Sequence, residues 1–233
     1  MTPFRISTYN VHKCKGIDGR ISPARIADVV RGLRADILAT QEILLSQAEE
    51  ISKRLELPFT FGCARQQAGE PYGNAVFSKL PILAKQSYDL TVSGREPRQC
   101  LRVSFQLPSG PTAHFFAVHL GTSFWERREQ ARVLLSPDVL LSSETKRQRI
   151  IAGDFNEWTS GLVTKMLSQQ FESADILRHL KRKRTYPGVF PFLHLDHVYY
   201  DADFKLREMH LHRTRLALLA SDHLPLVATL AEL

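Results

Sequence analysis

Cysteine is scarce in this chain. The three present, Cys14, Cys63 and Cys100, are odd in number and far apart, which excludes a disulfide framework and leaves no C-x-x-C pair for zinc or redox work. Free thiols are the expectation. No apolar run is long enough to form a membrane-crossing helix, and the start Met1-Thr2-Pro3-Phe4-Arg5-Ile6 lacks the charged and then apolar segments of a secretory leader. A cytoplasmic protein without a transmembrane segment is expected, although peripheral contact with a phospholipid surface stays open. Nothing repeats at a fixed period and no low-complexity linker divides the chain, so residues 1–233 are expected to form one domain, and a monomer is the simplest state. Negative charge is the scarcer sign: 24 Asp and Glu against 31 Lys and Arg give a net charge of +7 and a pI near 9.5. Such a field favours an anionic partner, whether DNA or RNA, a phospholipid surface or a phosphorylated metabolite, without choosing among them. The densest basic run, Lys181-Arg182-Lys183-Arg184, reads equally well as a solvated loop.

Hydrophobic patterning supplies what composition cannot. Residues 4–10 alternate as a strand. Residues 23–33 place Ile26, Val29, Val30 and Leu33 at helical spacing behind Ser22 and Pro23, a cap and a first-turn proline. Residues 36–42 read as a buried strand ending on Gln41 and Glu42, and 45–55 as a second helix. Short β-prone runs at 59–63, 73–78, 82–90, 100–107 and 113–120 then favour antiparallel pairing. A helix is expected over 126–140, ended or kinked by Pro137, followed by a strand at 149–152, a helix at 162–169, strands at 195–200 and 204–211, and a last strand at 226–230. This order predicts an α/β protein with two mainly antiparallel sheets packed face to face and helices outside them.

Polar residues gather where those strands end, and loops at strand ends are where a rigid scaffold presents chemistry. Asn10 leaves the first strand and Glu42 the second; a carboxylate, an amide oxygen and a substrate phosphate together suit a hard cation that keeps its waters. Taken alone, Glu42 reads as well as a helix-capping or solvated residue. In Gly153-Asp154-Phe155-Asn156 the alternation turns both polar side chains the same way, so Asp154 could take a proton from water while Asn156 orients it; an Asx turn is the ordinary alternative. Asp222-His223 offers a carboxylate for metal and an imidazole for a phosphoryl oxygen, and Asp196 could fix that imidazole's tautomer. His119 ends another apolar run and is either a second imidazole at the same rim or a satisfied core histidine. Asn74 and Arg98 could line a phosphate pocket or serve turn and rim roles. His12, Lys13 and Lys15 follow Asn10 in a loop, and Phe124-Trp125 could stack on a base, sit beside lipid or pack a helix.

Taken in order, Tyr9-Asn10, Gln41-Glu42, Tyr72-Gly73-Asn74, Val118-His119-Leu120, Gly153-Asp154-Phe155-Asn156, Leu195-Asp196 and Ser221-Asp222-His223 resemble the endonuclease/exonuclease/phosphatase superfamily over nearly the whole chain. The resemblance implies a four-layer α/β sandwich and a phosphodiesterase using Mg2+ or, as a substitute, Mn2+. By motif, Asn10 and Glu42 would hold the metal and Asp222 would support a metal position. Asp154 would activate water, Asn156 would orient it, and His223, steered by Asp196, would contact the scissile phosphate. His119 matches a second catalytic histidine. The sequence looks like small bacterial members, some linked to phospholipid metabolism, and His197 stands where many relatives carry arginine or tyrosine, which puts the pocket floor in doubt. Nucleic acid is the expected substrate; a phospholipid or small phosphoester, or a non-catalytic anion-binding role, are the alternatives.

Overall fold

A computed structural model describes residues 2–157, 161–174 and 195–233. Lys181 to Arg184 lie outside the described residues. Among the described residues, twelve strands form two six-stranded sheets. The first contains β1 (Phe4–Asn10), β2 (Ile37–Leu44), β3 (Phe59–Gln67), β4 (Glu70–Ser78), β11 (Phe204–Leu211) and β12 (Leu226–Glu232), in the order β11-β12-β1-β2-β4-β3. The second contains β5 (Ile82–Asp89), β6 (Gln99–Gln106), β7 (Thr112–His119), β8 (Arg149–Asp154), β9 (Glu172–Ser173) and β10 (Asp196–Tyr200), in the order β5-β6-β7-β8-β10-β9. Every pairing is antiparallel except β1 with β2 and β7 with β8, one parallel pair at the middle of each sheet.

The period-two alternation decides which face is which. Phe4 and Ile6 of β1, Ile37 and Ala39 of β2, Phe115 and Ala117 of β7, Ile150 and Ala152 of β8, and Leu226, Ala228 and Leu230 of β12 interdigitate in one buried layer between the sheets. Their alternate neighbours Tyr9, Leu38 and Val227 face a second cluster, where helices α1 (Pro23–Leu33), α2 (Leu45–Leu55) and α5 (Arg215–Ala220) cover the first sheet. Phe116, Val118, Ile151 and Tyr199 face a third, under α3 (Phe124–Leu134) and α4 (Leu162–Leu167). The result is a four-layer sandwich. Helix α1 begins where Ser22 Oγ accepts from Arg25 N at 3.2 Å, with proline in the first turn, and ends on left-handed Arg34.

Several boundaries differ from the sequence expectation. Helix α3 starts two residues earlier and stops at Leu134, because Pro137 restricts the residues before it and the chain turns through 135–141 instead. Strands β3 and β4 run on past 63 and before 73 by pairing with each other across a register shift between Cys63 and Arg65. The two-residue β9 and the short helix α5 carried no signal of sufficient length.

Candidate active site

Each parallel pair ends at the same end of the sandwich, and the residues found there are the inward-facing ones. In β1 the inward parity 4, 6, 8, 10 delivers Asn10; in β7 and β8 the parities through 117 and 152 deliver His119 and Asp154, which lie opposite each other in register. Asp196 opens β10 on the inward parity of Val198 and Tyr200 and lies opposite Asp154 from the other side. Glu42 would fall on the wrong face of an unbroken strand. A register shift between Thr40 and Ile43, with φ of +55° at Glu42, reverses the alternation and brings the carboxylate to Asn10. Gly153 lets the parallel pair close: a Cβ there would lie 1.9 Å from Val118 O.

One hydrogen-bonded chain links these groups. Asn10 Nδ2 donates to Glu42 Oε1 at 3.1 Å and to Asp154 Oδ2 at 3.0 Å, while Asn10 Oδ1 accepts from His12 N at 3.0 Å. Asn156 N donates to Asp154 Oδ1 at 2.8 Å, and Asn156 Nδ2 donates to Leu120 O at 2.9 Å. His223 Nδ1 lies 3.0 Å from Asp196 Oδ2, and its Nε2 lies 3.6 Å from Asp154 Oδ2. His119 Nε2 stands 3.8 Å from Glu42 Oε1 and 4.0 Å from Asp154 Oδ2. Ser221 Oγ donates to Asn10 O at 2.8 Å and accepts from His223 N at 3.3 Å, tying the last loop to β1. A cavity of about 370 Å³ opens beside this chain, with Glu42, Arg98, His119, Asp154, Asp222 and His223 in its wall.

Burial sets the protonation of the group. It raises Asp154 to about 6, reinforced by the nearby Asp196 carboxylate and opposed by His223, Asn10 and the Asn156 N–H. Burial also opposes a charged His223, but Asp196, then Asp154 and Asp222, outweigh it and raise this imidazole to about 10. His119 goes the other way, down to about 3, through burial and the Arg98 guanidinium, so it is neutral at pH 7. For Glu42, burial pulls upward, yet His119, the Asn10 N–H, His12 and Lys13 together move the carboxyl below its usual range. Two imidazoles on one wall are thus held in opposite states.

The donor set suits a hard cation that retains water. Glu42 is kept ionised at the cavity wall, and Asp222 stands on the same wall with its side chain 29% exposed, 3.6 Å from His12 Nδ1. Among the described residues no three His, Cys, Asp or Glu converge tightly enough for an all-protein cage, which is the arrangement Mg2+ least needs. Glu42 and Asp222 fit such an ion. Asn10 differs from expectation: its amide nitrogen, not its oxygen, faces the carboxylates, because the oxygen is taken by His12 N.

Of the residues singled out from sequence, Asn10, Glu42, Arg98, His119, Asp154, Asn156, Asp196, Asp222 and His223 come together here. Asn74 does not line the cavity; it is buried between the sheets, its Nδ2 3.4 Å from both Gln99 O and Ala117 O, so it braces β4 to β6 and β7. His197 faces outward, with Nε2 2.9 Å from Glu157 O and its ring beside Phe155, and so does not form the floor. Sequence reading quotes Tyr72 within a motif but gives it no role, although its hydroxyl is raised by burial and by Glu42, and it misses Thr122 in the cavity wall, which belongs to no charged motif.

The family model described as "Endonuclease/Exonuclease/phosphatase family" matches residues 7–223. The uncharacterized protein YbhP of Escherichia coli strain K12 is 28% identical over a 218-residue alignment, with 84% of each chain covered. A functionally unknown conserved protein of Enterococcus faecalis V583 superposes with a TM-score of 0.83 at 16% identity, covering 98% of this chain and 100% of that one. The mannosyl-6-phosphatase Bt3783 of Bacteroides thetaiotaomicron VPI-5482 does so with a TM-score of 0.78 at 19% identity, over 98% and 99% of the two chains. At these identities the solved structures establish the shared fold.

Proposed function

The chain belongs to the endonuclease/exonuclease/phosphatase family, whose members are metal-dependent phosphoesterases, and on that premise we propose that it is itself a Mg2+-dependent phosphodiesterase. The observation that carries this reading is the convergence on one buried carboxylate, Asp154, of an amide from β1, a backbone N–H from its own loop and a cationic imidazole from the last loop.

A divalent ion held by Glu42 with Asp222, Mg2+ or in its place Mn2+, would polarise a phosphoryl oxygen. Asp154, with both oxygens fixed by donors, accepts the proton of a water directed at phosphorus. Asn156 orients that water or the phosphate without adding negative charge. His223, kept protonated by Asp196, donates to the phosphoryl oxygens as negative charge builds on them. Neutral His119 offers a hydrogen bond beside it, and Arg98 pairs the bound phosphate.

The net charge of +7 favours a polyanion, so nucleic acid is the first substrate to test. A phosphomonoester is the second reading, favoured by the small volume of the cavity and by the structural likeness to a mannosyl-6-phosphatase. A panel of DNA, RNA, phospholipid and small phosphate mono- and diesters, assayed with Mg2+, Mn2+ and chelator, tests the proposal. Metal-dependent release of product from a diester is expected. Binding of these esters with no turnover under any of the conditions would contradict it.

A further inference from the structure

A single carboxylate oxygen holds two arginines beside the catalytic cavity. Glu96 Oε2 lies 3.1 Å from Arg65 Nη1 and 3.1 Å from Arg98 Nη2, and among the described residues no other carboxylate comes within 4.0 Å of either guanidinium. The three residues come from different places. Arg65 belongs to β3, Arg98 immediately precedes β6, and Glu96 lies in the turn between β5 and β6.

The two arginines are held from behind, whereas the carboxylate stands in solvent. The Arg65 guanidinium lies 4.6 Å from the centre of the Tyr72 ring, and its Nη2 donates to Gln67 Oε1 at 3.2 Å. The side chains of Arg98 and Arg65 are 9% and 23% exposed, against 60% for Glu96. Its turn is closed by Arg95 N donating to Val92 O at 3.0 Å, with Gly94 in the left-handed region at φ +74°. An exposed carboxylate gains little from an ion pair in high dielectric and gives up side-chain freedom to make it. Glu96 is therefore the partner that a competing anion can displace.

Charge and position define that competitor. Two guanidiniums against one carboxylate leave one positive charge unmatched, which a phosphoryl group with two anionic oxygens would cancel by presenting one oxygen to each arginine. Arg98 also lines the catalytic cavity, and a guanidinium carries donors on both terminal nitrogens, so it can serve one anion in the cavity and another beside Arg65. The Tyr72 hydroxyl lies in the fields of Glu42, Arg65 and Arg98 together, which puts the arginine pair near the Glu42 part of the cavity wall.

We propose that Arg65 and Arg98 form an anion subsite next to the catalytic cavity, occupied by Glu96 as a built-in competitor until a second phosphoryl group of the bound molecule displaces it. The subsite rests on the phosphoesterase reading above only for the identity of the first anion, the one in the cavity.

Calorimetry in excess Mg2+ reads the subsite without turnover. The probes are methylenebisphosphonate, whose bridging carbon prevents hydrolysis and whose two phosphoryl groups can reach cavity and subsite together, and inorganic phosphate, which has only one. Glu96→Gln should bind the bisphosphonate at least about tenfold more tightly than the wild type, and inorganic phosphate less than about threefold more tightly. Adding Arg65→Gln, which keeps much of the stem over Tyr72, should return the bisphosphonate to wild-type affinity. A gain that survives the loss of Arg65, or one equal for both probes, would be the effect of net charge alone and would overturn the subsite. No gain in Glu96→Gln would overturn it as well. Hydrolysis of a phosphodiester without the gain would remove the subsite and leave the phosphoesterase reading, whereas the gain without hydrolysis of any ester would do the reverse.

Discussion

His223 Nδ1 sits 3.0 Å from Asp196 Oδ2, and Asp196, fully buried, keeps its other oxygen without a partner among the described residues. A desolvated carboxylate therefore spends its charge on one imidazole. Asp196→Asn should return His223 toward or below its ordinary pKa and cut kcat by about 10- to 100-fold, the usual effect of losing such an orienting partner. An NMR titration of the His223 ring in both proteins checks the first effect, and steady-state kinetics the second. An unchanged titration in the variant would show that Asp196 does not hold the proton.

Stability should follow the same pair. Because the folded pKa of His223 is raised from 6.5 to about 10, its contribution is fully present below pH 6.5 and is lost as pH climbs through about 10. Denaturant unfolding of the wild type should show stability falling over that window. In Asp196→Asn the fall should flatten.

Asp154 sets the opposite limb of the activity profile. A base raised to about 6 by burial must be ionised to accept a proton, so kcat/KM should rise as pH increases through about 6 and decline again as His223 loses its proton near 10. A profile flat from pH 5 to 8 would contradict the role of Asp154, about which the wall was built in this reading.

Glu42→Gln and Asp222→Asn should each weaken Mg2+ by about 10- to 100-fold, read by calorimetry. Mg2+ should also raise the melting temperature of the wild type, by about 2.7 kcal/mol of linkage at a hundred times Kd, and raise that of Glu42→Gln much less. In chelator Glu42→Gln should be somewhat less stable than the wild type at pH 7, because the carboxyl is held below its usual range in the folded protein and so contributes stability above its unfolded pKa.

Asn74 separates fold from chemistry. Asn74→Ala removes the donor to Gln99 O and Ala117 O and should cost about 1–3 kcal/mol in denaturant unfolding, with kcat of the remaining folded protein close to normal. Arg98→Ala should show the reverse, a loss of turnover with a smaller loss of stability.

These contrasts show which parts of the site are legible in a sequence. Asn10, His119, Asp154 and Asp196 are legible as polar residues at strand ends, while the inward parity that brings them to one face shows only in the pairing of the strands. Glu42 was found by its position after an apolar run, although the bulge that turns it inward leaves no mark in composition. Asn74 was misread because a buried amide bracing two sheets and one lining a pocket share the same surroundings in sequence, a polar residue beside glycine. The four-layer order followed from patterning, but α5 and β9 did not: six and two residues are too few for a period to show. Groups that join by packing across the two sheets, such as Arg98 with Glu42 and Asp222 in the cavity wall, have no local signal at all.

The most direct test compares kcat/KM for a phosphodiester in Mg2+ among the wild type, Asp154→Asn, His223→Ala and the double variant. Each single change should reduce it by about a thousandfold or more, and the double variant should be little worse than either, since the two residues act on one transition state. Single variants that fold and turn over within a few-fold of the wild type would contradict the assignment of Asp154 and His223 to the chemistry.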